Sequence, residues 1–186
     1  TPPSMSERFH FSGGVHPADG KALAAGAAIQ AAPLLEKYVV PLVQHIGAPP
    51  KLTVKKGDTV RKGQVLAASG GFVSAPVHAP TSGTVSAVTE CPGPAGPLMA
   101  AVEIASDGQD TPDTQLEPWP DWERRDPADL LKRIADAGLV GMGGAAFPTH
   151  VKLSPPPAKK IDTLILNGVE CEPCLTADHR LMLEAA

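Results

Sequence analysis

The chain has 186 residues, room for one large domain or two small ones, and 42% apolar residues supply a packed core. A net charge of −4 without a run of Lys/Arg argues against a nucleic-acid partner, and three cysteines, an odd number, argue against a disulfide framework and fit a reducing compartment. No apolar stretch approaches the roughly 18–20 residues of a membrane span, and no charged-then-apolar leader opens the chain.

Residues 1–35 are rich in Pro, Gly and Ala and read as an extended arm. Lys21–Ala32 has helical composition, but Gly26 and Pro33 weaken a helix there.

Residues 36–106 carry short β-branched runs, "KYVVPLVQHI", "KLTV", "TVRKGQVLA", "APVHAPTSGTVSAV" and "LMAAVEIAS". Turn signals at Gly57–Asp58, Lys62–Gly63 and Thr81-Ser82-Gly83 separate them, which predicts a small all-β barrel or sandwich with His45 and His78 in strands. The segment resembles a lipoyl or biotinyl carrier domain. The hairpin tip that bears the modified lysine in carriers reads "ASGGFVSAPVH" here, without a lysine, which implies a scaffold.

Residues 107–125 hold two tryptophans, three prolines and many charges, and read as a linker pinned by Trp119 and Trp122. "DPADLLKRIADAG" then writes a helix: Asp126 caps, Pro127 and Asp129 suit the first turn, Leu130, Leu131, Ile134 and Ala137 form a stripe, and Gly138 stops it. A short helix is expected over Phe147–Leu153, followed by "IDTLILNG" as a strand buried on both faces. Residues 126–186 thus read as the start of an α/β domain. The chain begins without methionine and stops inside "DHRLMLEAA", which reads as a helix, so a piece of a longer protein is expected.

Gly141, Gly143 and Gly144 strip side chains from the loop between the two helices. Bare backbone ahead of a helix start exposes unpaired N–H groups, an anion site whose usual occupant is phosphate, and Lys152 adds a charge within reach. The spacing is neither a dinucleotide fingerprint nor a P-loop. A tight helix–helix corner is the bland alternative. "ECEPC" spaces Cys171 and Cys174 as C-x-x-C with His179 beyond, but too few ligands stand nearby for a metal, and the pair reads as incidental. The six histidines (His10, His16, His45, His78, His150 and His179) are scattered and read as structural, and no catalytic residue or metal set is assigned.

"GLVGMGGAAFPTHVK" with "TLILNGVECEPCLTADHRLM" resembles the flavin-binding region of the NADH-oxidising subunit of respiratory complex I. It is more similar to the C-subunit family of Rnf complexes, membrane-bound ferredoxin–NAD oxidoreductases. "GGVHP", "VVPLVQHIG", "GDTVRKGQ" and "PVHAPTSGTV" agree in order, so the likeness runs from Phe11 onward. It implies a barrel-sandwich β domain followed by the start of an FMN/NADH-binding α/β domain, and an electron-transfer role coupled to ion translocation. It further implies FMN against Gly141, Gly143, Gly144 and Lys152, with Asn167 and Glu170 facing the flavin, and NAD(H) held by Phe147 and Glu172. Two [4Fe–4S] clusters would lie in a C-terminal part outside these residues. Partners would be the other members of a membrane-bound electron-transport complex and ferredoxin or iron–sulfur domains, with peripheral attachment at the cytoplasmic face of the bacterial inner membrane. Ala146 and Val169 depart from the complex I pattern, which has a glycine and an acid there. A catalytically incompetent docking module, or the A subunit of sodium-pumping NADH:quinone reductase, are the alternative readings.

Overall fold

The computed structural model describes residues 13, 15, 17–93, 96–114 and 117–185, so most of the "GGVHP" motif, with His10 and His16, lies outside the described residues. It divides into a larger unit, Ala32–Ile161, and a smaller one that combines Thr1–Ala31 with Asp162–Ala186.

The larger unit holds seven short strands, as the β-branched runs between Gly turns require: β1 Lys37–Pro41, β2 Lys51–Leu52, β3 Thr59–Val60, β4 Val65–Ala68, β5 Val77–His78, β6 Gly83–Pro92 and β7 Leu98–Ser106. They form a four-stranded sheet in the order β1-β7-β6-β3 and a three-stranded sheet in the order β2-β4-β5, a barrel-sandwich arrangement with every pairing antiparallel. Alternation along the strands turns Val40, Val60, Leu66, Val77, Val85, Val102 and Ile104 into one buried cluster. Aliphatic residues fill it, consistent with a chain poor in aromatics.

His78 lies in β5, whereas His45 lies beyond the end of β1 in a buried bend. Its Nε2 is 3.0 Å from the Ala75 N–H and its Nδ1 is 3.1 Å from the Ile46 carbonyl. The Nδ1–H tautomer serves both, so this imidazole ties the strand exit to the β4–β5 connection.

Past the sheets, Trp119 is half-buried with the Arg125 and Arg133 guanidinium carbons 4.5 Å and 5.1 Å from its ring centroid. Trp122 is 56% exposed, and both arginines gather on the other indole. Helix α1, Pro127–Asp136, has the expected ends: the Asp126 carboxylate accepts from the Ala128 N–H at 2.7 Å, and Gly138 adopts φ +68°. Its stripe is half-buried at Leu130, Leu131 and Ile134 and exposed at Ala137. A side chain at Gly138 would press on the Pro76 carbonyl at 2.6 Å, so the glycine lets the end of α1 sit directly on β5. Helix α2 is a single turn, Thr149–Lys152.

The predicted strand over "IDTLILNG" does not form, and Leu164, Ile165 and Leu166 are exposed by 75–85%. A strand buried on both faces needs neighbours to take its N–H and C=O groups and to cover its side chains. Among the described residues no strand pairs with it.

In the smaller unit the alanine-rich stretch keeps only a 3-10 turn, Lys21–Leu23, in place of a helix. Helix α3, Ala177–Glu184, is held by that stretch: Glu184 accepts from the Ile29 N–H at 3.0 Å, and Arg180 donates to the Ala25 carbonyl at 3.2 Å. Cys171 and Cys174 are both exposed and unbridged. Among the described residues no helix is long and apolar enough to cross a membrane.

Candidate functional site

The glycine loop begins where α1 ends. A bridge between Val140 and Pro148 closes it at its base: the Gly141 N–H donates to the Phe147 carbonyl at 2.9 Å, and the Thr149 N–H donates to the Leu139 carbonyl at 2.9 Å. Pro148 is buried and fixes the exit into α2. Inside the loop the Ala146 N–H turns back onto the Gly143 carbonyl at 3.0 Å.

That leaves the N–H groups of Met142, Gly143, Gly144 and Ala145 without a partner among the described residues. Met142 is 96% exposed and Gly143, Gly144 and Ala145 are exposed as well, so the run of amides opens to solvent. A side chain grown at Gly143 or Gly144 would meet no atom within 4 Å, so an incoming group has room against the backbone. Neither glycine takes positive φ. Their value lies in the absence of a side chain and not in backbone freedom.

Gly141 differs from the other two. Its amide is used within the chain, and a Cβ there would stand 2.5 Å from the Lys152 Nζ. The glycine is the seat that brings the lysine ammonium down onto the loop. Lys152 was expected beside the loop from its spacing; the structure adds that Gly141 makes the approach possible.

The expected helix start is a weaker source of charge than the sequence implied. Helix α2 has four residues, and Pro148 separates it from the open amides, so those amides belong to a turn and carry no helix dipole behind them. The left-handed position in this loop is Ala146, at φ +43°, where an L side chain is strained. Phe147 is half-buried beside it.

Asn167, Glu170 and Glu172 lie in the smaller unit. The Asn167 Oδ1 accepts from the Val169 N–H at 3.0 Å, an Asx turn that leaves the side-chain NH₂ free of partners among the described residues. Glu170 Oε1 accepts from the His179 N–H at 3.1 Å, inside the first turn of α3, so this carboxylate caps the helix. Glu172 is exposed.

A cleft of about 510 Å³ opens beside α2 in the larger unit, with Phe72, Ser74, Pro76, Ala135, Asp136 and His150 in its wall. His150 is buried, its ring meets Phe72 edge-on at 5.9 Å, and its Nε2 lies 2.9 Å from the Phe72 carbonyl. Nearby, burial holds the His78 imidazole below its ordinary range, partly offset by the Asp136 backbone and carboxylate. In the sequence His150 is one structural histidine among six. Its place two residues before Lys152, in the same single helical turn, was the available signal.

The loop can therefore receive a small, negatively charged group. Open amides would donate to it, the ammonium of Lys152 would balance its charge, and the missing side chains make space.

Comparison with known proteins adds two domain assignments. Residues 9–109 match the RnfC barrel sandwich hybrid domain, and residues 134–186 match the Nuo51 FMN-binding domain. The chain is 49% identical over 174 residues to the C subunit of the proton-translocating ferredoxin:NAD(+) oxidoreductase complex of Clostridium ljungdahlii, covering 94% of this chain and 38% of that protein. It is 48% identical over 176 residues to the Na(+)-translocating counterpart of Acetobacterium woodii, covering 95% of this chain and 40% of that protein. Against the C subunit of the ion-translocating oxidoreductase complex of Pseudomonas aeruginosa it is 48% identical over 184 residues, covering 98% of this chain and 24% of that protein. The chain thus spans two fifths or less of the length of these relatives.

Proposed function

Because the chain belongs to the RnfC family, we propose that it forms the flavin- and nucleotide-handling part of an Rnf-type ferredoxin:NAD oxidoreductase coupled to ion translocation. The observation that carries this reading is the run of open amides from Met142 to Ala145, next to Gly141 where the Lys152 ammonium sits, within a segment that matches an FMN-binding domain. A phosphate monoester fits it, with the N–H groups donating to its oxygens and the ammonium opposing its charge.

In this reading the loop holds the phosphate of FMN, and Gly143 and Gly144 keep the approach clear. By the family resemblance, Asn167 and Glu170 are assigned to the flavin, and Phe147 and Glu172 to NAD(H). Bound FMN would join two-electron exchange with NAD(H) to single-electron steps toward iron–sulfur clusters. Two [4Fe–4S] clusters are assigned to the further length that the relatives have. Residues 36–106 serve as the scaffold domain, residues 107–125 as a linker and residues 126–186 as the start of the flavin domain. Partners are the other members of the membrane complex and ferredoxin or iron–sulfur domains, with peripheral attachment at the cytoplasmic face.

Titration with FMN, followed by quenching of flavin fluorescence, tests the reading. Saturable binding that weakens at least tenfold in Lys152→Ala supports it. Absence of saturation at millimolar flavin overturns it and leaves a docking module of the same complex.

A further inference from the structure

We infer that His150 is a positioning residue that hangs α2 from the barrel-sandwich domain and so sets Lys152 over the glycine loop. Its functional consequence rests on the phosphate reading, but its geometry does not.

A single helical turn has no stability of its own. Helix α2 is held at its start by the Val140–Pro148 bridge and at its end by the Ser154 hydroxyl, which donates to the His150 carbonyl at 2.7 Å. Both ties run to neighbours in sequence. Among the described residues, the one hydrogen bond from α2 to a distant element is His150 Nε2 to the Phe72 carbonyl, 78 residues away. A carbonyl only accepts, so Nε2 carries the proton. Nδ1 is then a lone pair, and it is buried without a partner among the described residues. The ring therefore has one hydrogen bond in this setting and one tautomer that makes it.

The acceptor is held firmly. Ser74, almost fully buried, donates to the Ala48 carbonyl at 2.8 Å and accepts from the Gly70 N–H at 2.9 Å. The Ala48 N–H donates to the Val73 carbonyl at 2.9 Å, and His45 clamps Ala75. Phe72 thus sits at the tip of a connection laced on both sides. That tip, between β4 and β5, is where a carrier domain would bear its lysine. Here its backbone has become a fixed post for the helix that bears Lys152.

Two amide substitutions separate this role from simple packing. Gln at position 150 carries an N–H at the reach of Nε2, whereas Asn carries one only at the reach of Nδ1, one methylene short of Phe72. The measurements are hydrogen exchange at the Gly141 and Thr149 amides, which the bridge protects, and FMN affinity, both in the full chain. His150→Gln should match wild type within threefold on both. His150→Asn should speed exchange at both amides tenfold or more and weaken FMN at least tenfold. If Gln and Asn behave alike, folded or unfolded, the latch is wrong. If wild type binds no FMN yet exchange still separates Gln from Asn, the latch stands and the phosphate reading falls.

Discussion

Gly141→Ala isolates the part of the site the chain builds for Lys152. The added Cβ would lie 2.5 Å from the Lys152 Nζ, while its next neighbours, Lys152 Cε at 3.6 Å and the Phe147 carbonyl at 3.7 Å, are ordinary contacts. Gly141 does not use positive φ, so alanine fits the backbone. Only the free end of a flexible side chain must move. Loss of unfolded-state freedom favours the variant by about 0.4–1 kcal/mol, so stability should hold or rise slightly. A displaced ammonium forfeits a charge-assisted hydrogen bond to bound phosphate, about 1.5–3 kcal/mol, or roughly 10–150-fold in affinity. Denaturant unfolding and flavin-fluorescence titration read the two quantities. The effect must pass through Lys152, so Gly141→Ala should cost little more once Lys152→Ala is present. A stability loss above about 2 kcal/mol, or full additivity with Lys152→Ala, refutes the reasoning.

Ala146→Gly removes the strain of a left-handed L residue at about 1–2 kcal/mol, less glycine's extra unfolded freedom, and should stabilise by about 0.5–1 kcal/mol; a loss of stability in denaturant unfolding sinks it. Trp119→Ala removes the ring beneath two guanidinium groups and should cost about 1–2 kcal/mol, while Trp122→Ala stays near neutral; equal effects in thermal unfolding would contradict the assignment. Acid should loosen the barrel in two stages. The His78 imidazole titrates lower in the folded state, so the unfolded chain takes its proton first and stability starts to fall as pH drops through the ordinary imidazole range. The hydrogen bond from Lys37 depresses the Glu103 carboxyl, and that from Lys62 depresses Asp110. Their contributions, present above the ordinary carboxylate range, are lost as pH falls below it. His78→Gln should abolish the first stage alone in urea midpoints taken against pH.

The barrel was readable because short β-branched runs between Gly-bearing turns have few other ways to bury Val60, Leu66, Val85 and Ile104 together. Helix α1 was readable because its cap, first-turn proline and stop glycine are local chemistry. The run at 161–168 misled, because burial on two faces depends on neighbours that composition does not reveal. In the loop, the sequence located the glycines and Lys152 but not their division of labour. Gly141 serves the lysine, and the open amides extend to Met142 and Ala145, since only the fold shows which N–H groups are already bonded. His150 escaped for the same reason: its partner is a backbone carbonyl distant in sequence, and a carbonyl leaves no trace in residue identity.

The most direct measurement compares FMN with riboflavin, which has the same ring and no phosphate, while amide resonances of residues 142–145 are followed. A phosphate held by the loop predicts FMN tighter by tenfold or more, with those four amides shifting for FMN and staying still for riboflavin. Equal affinities, or FMN binding that leaves the four amides unmoved, would contradict it.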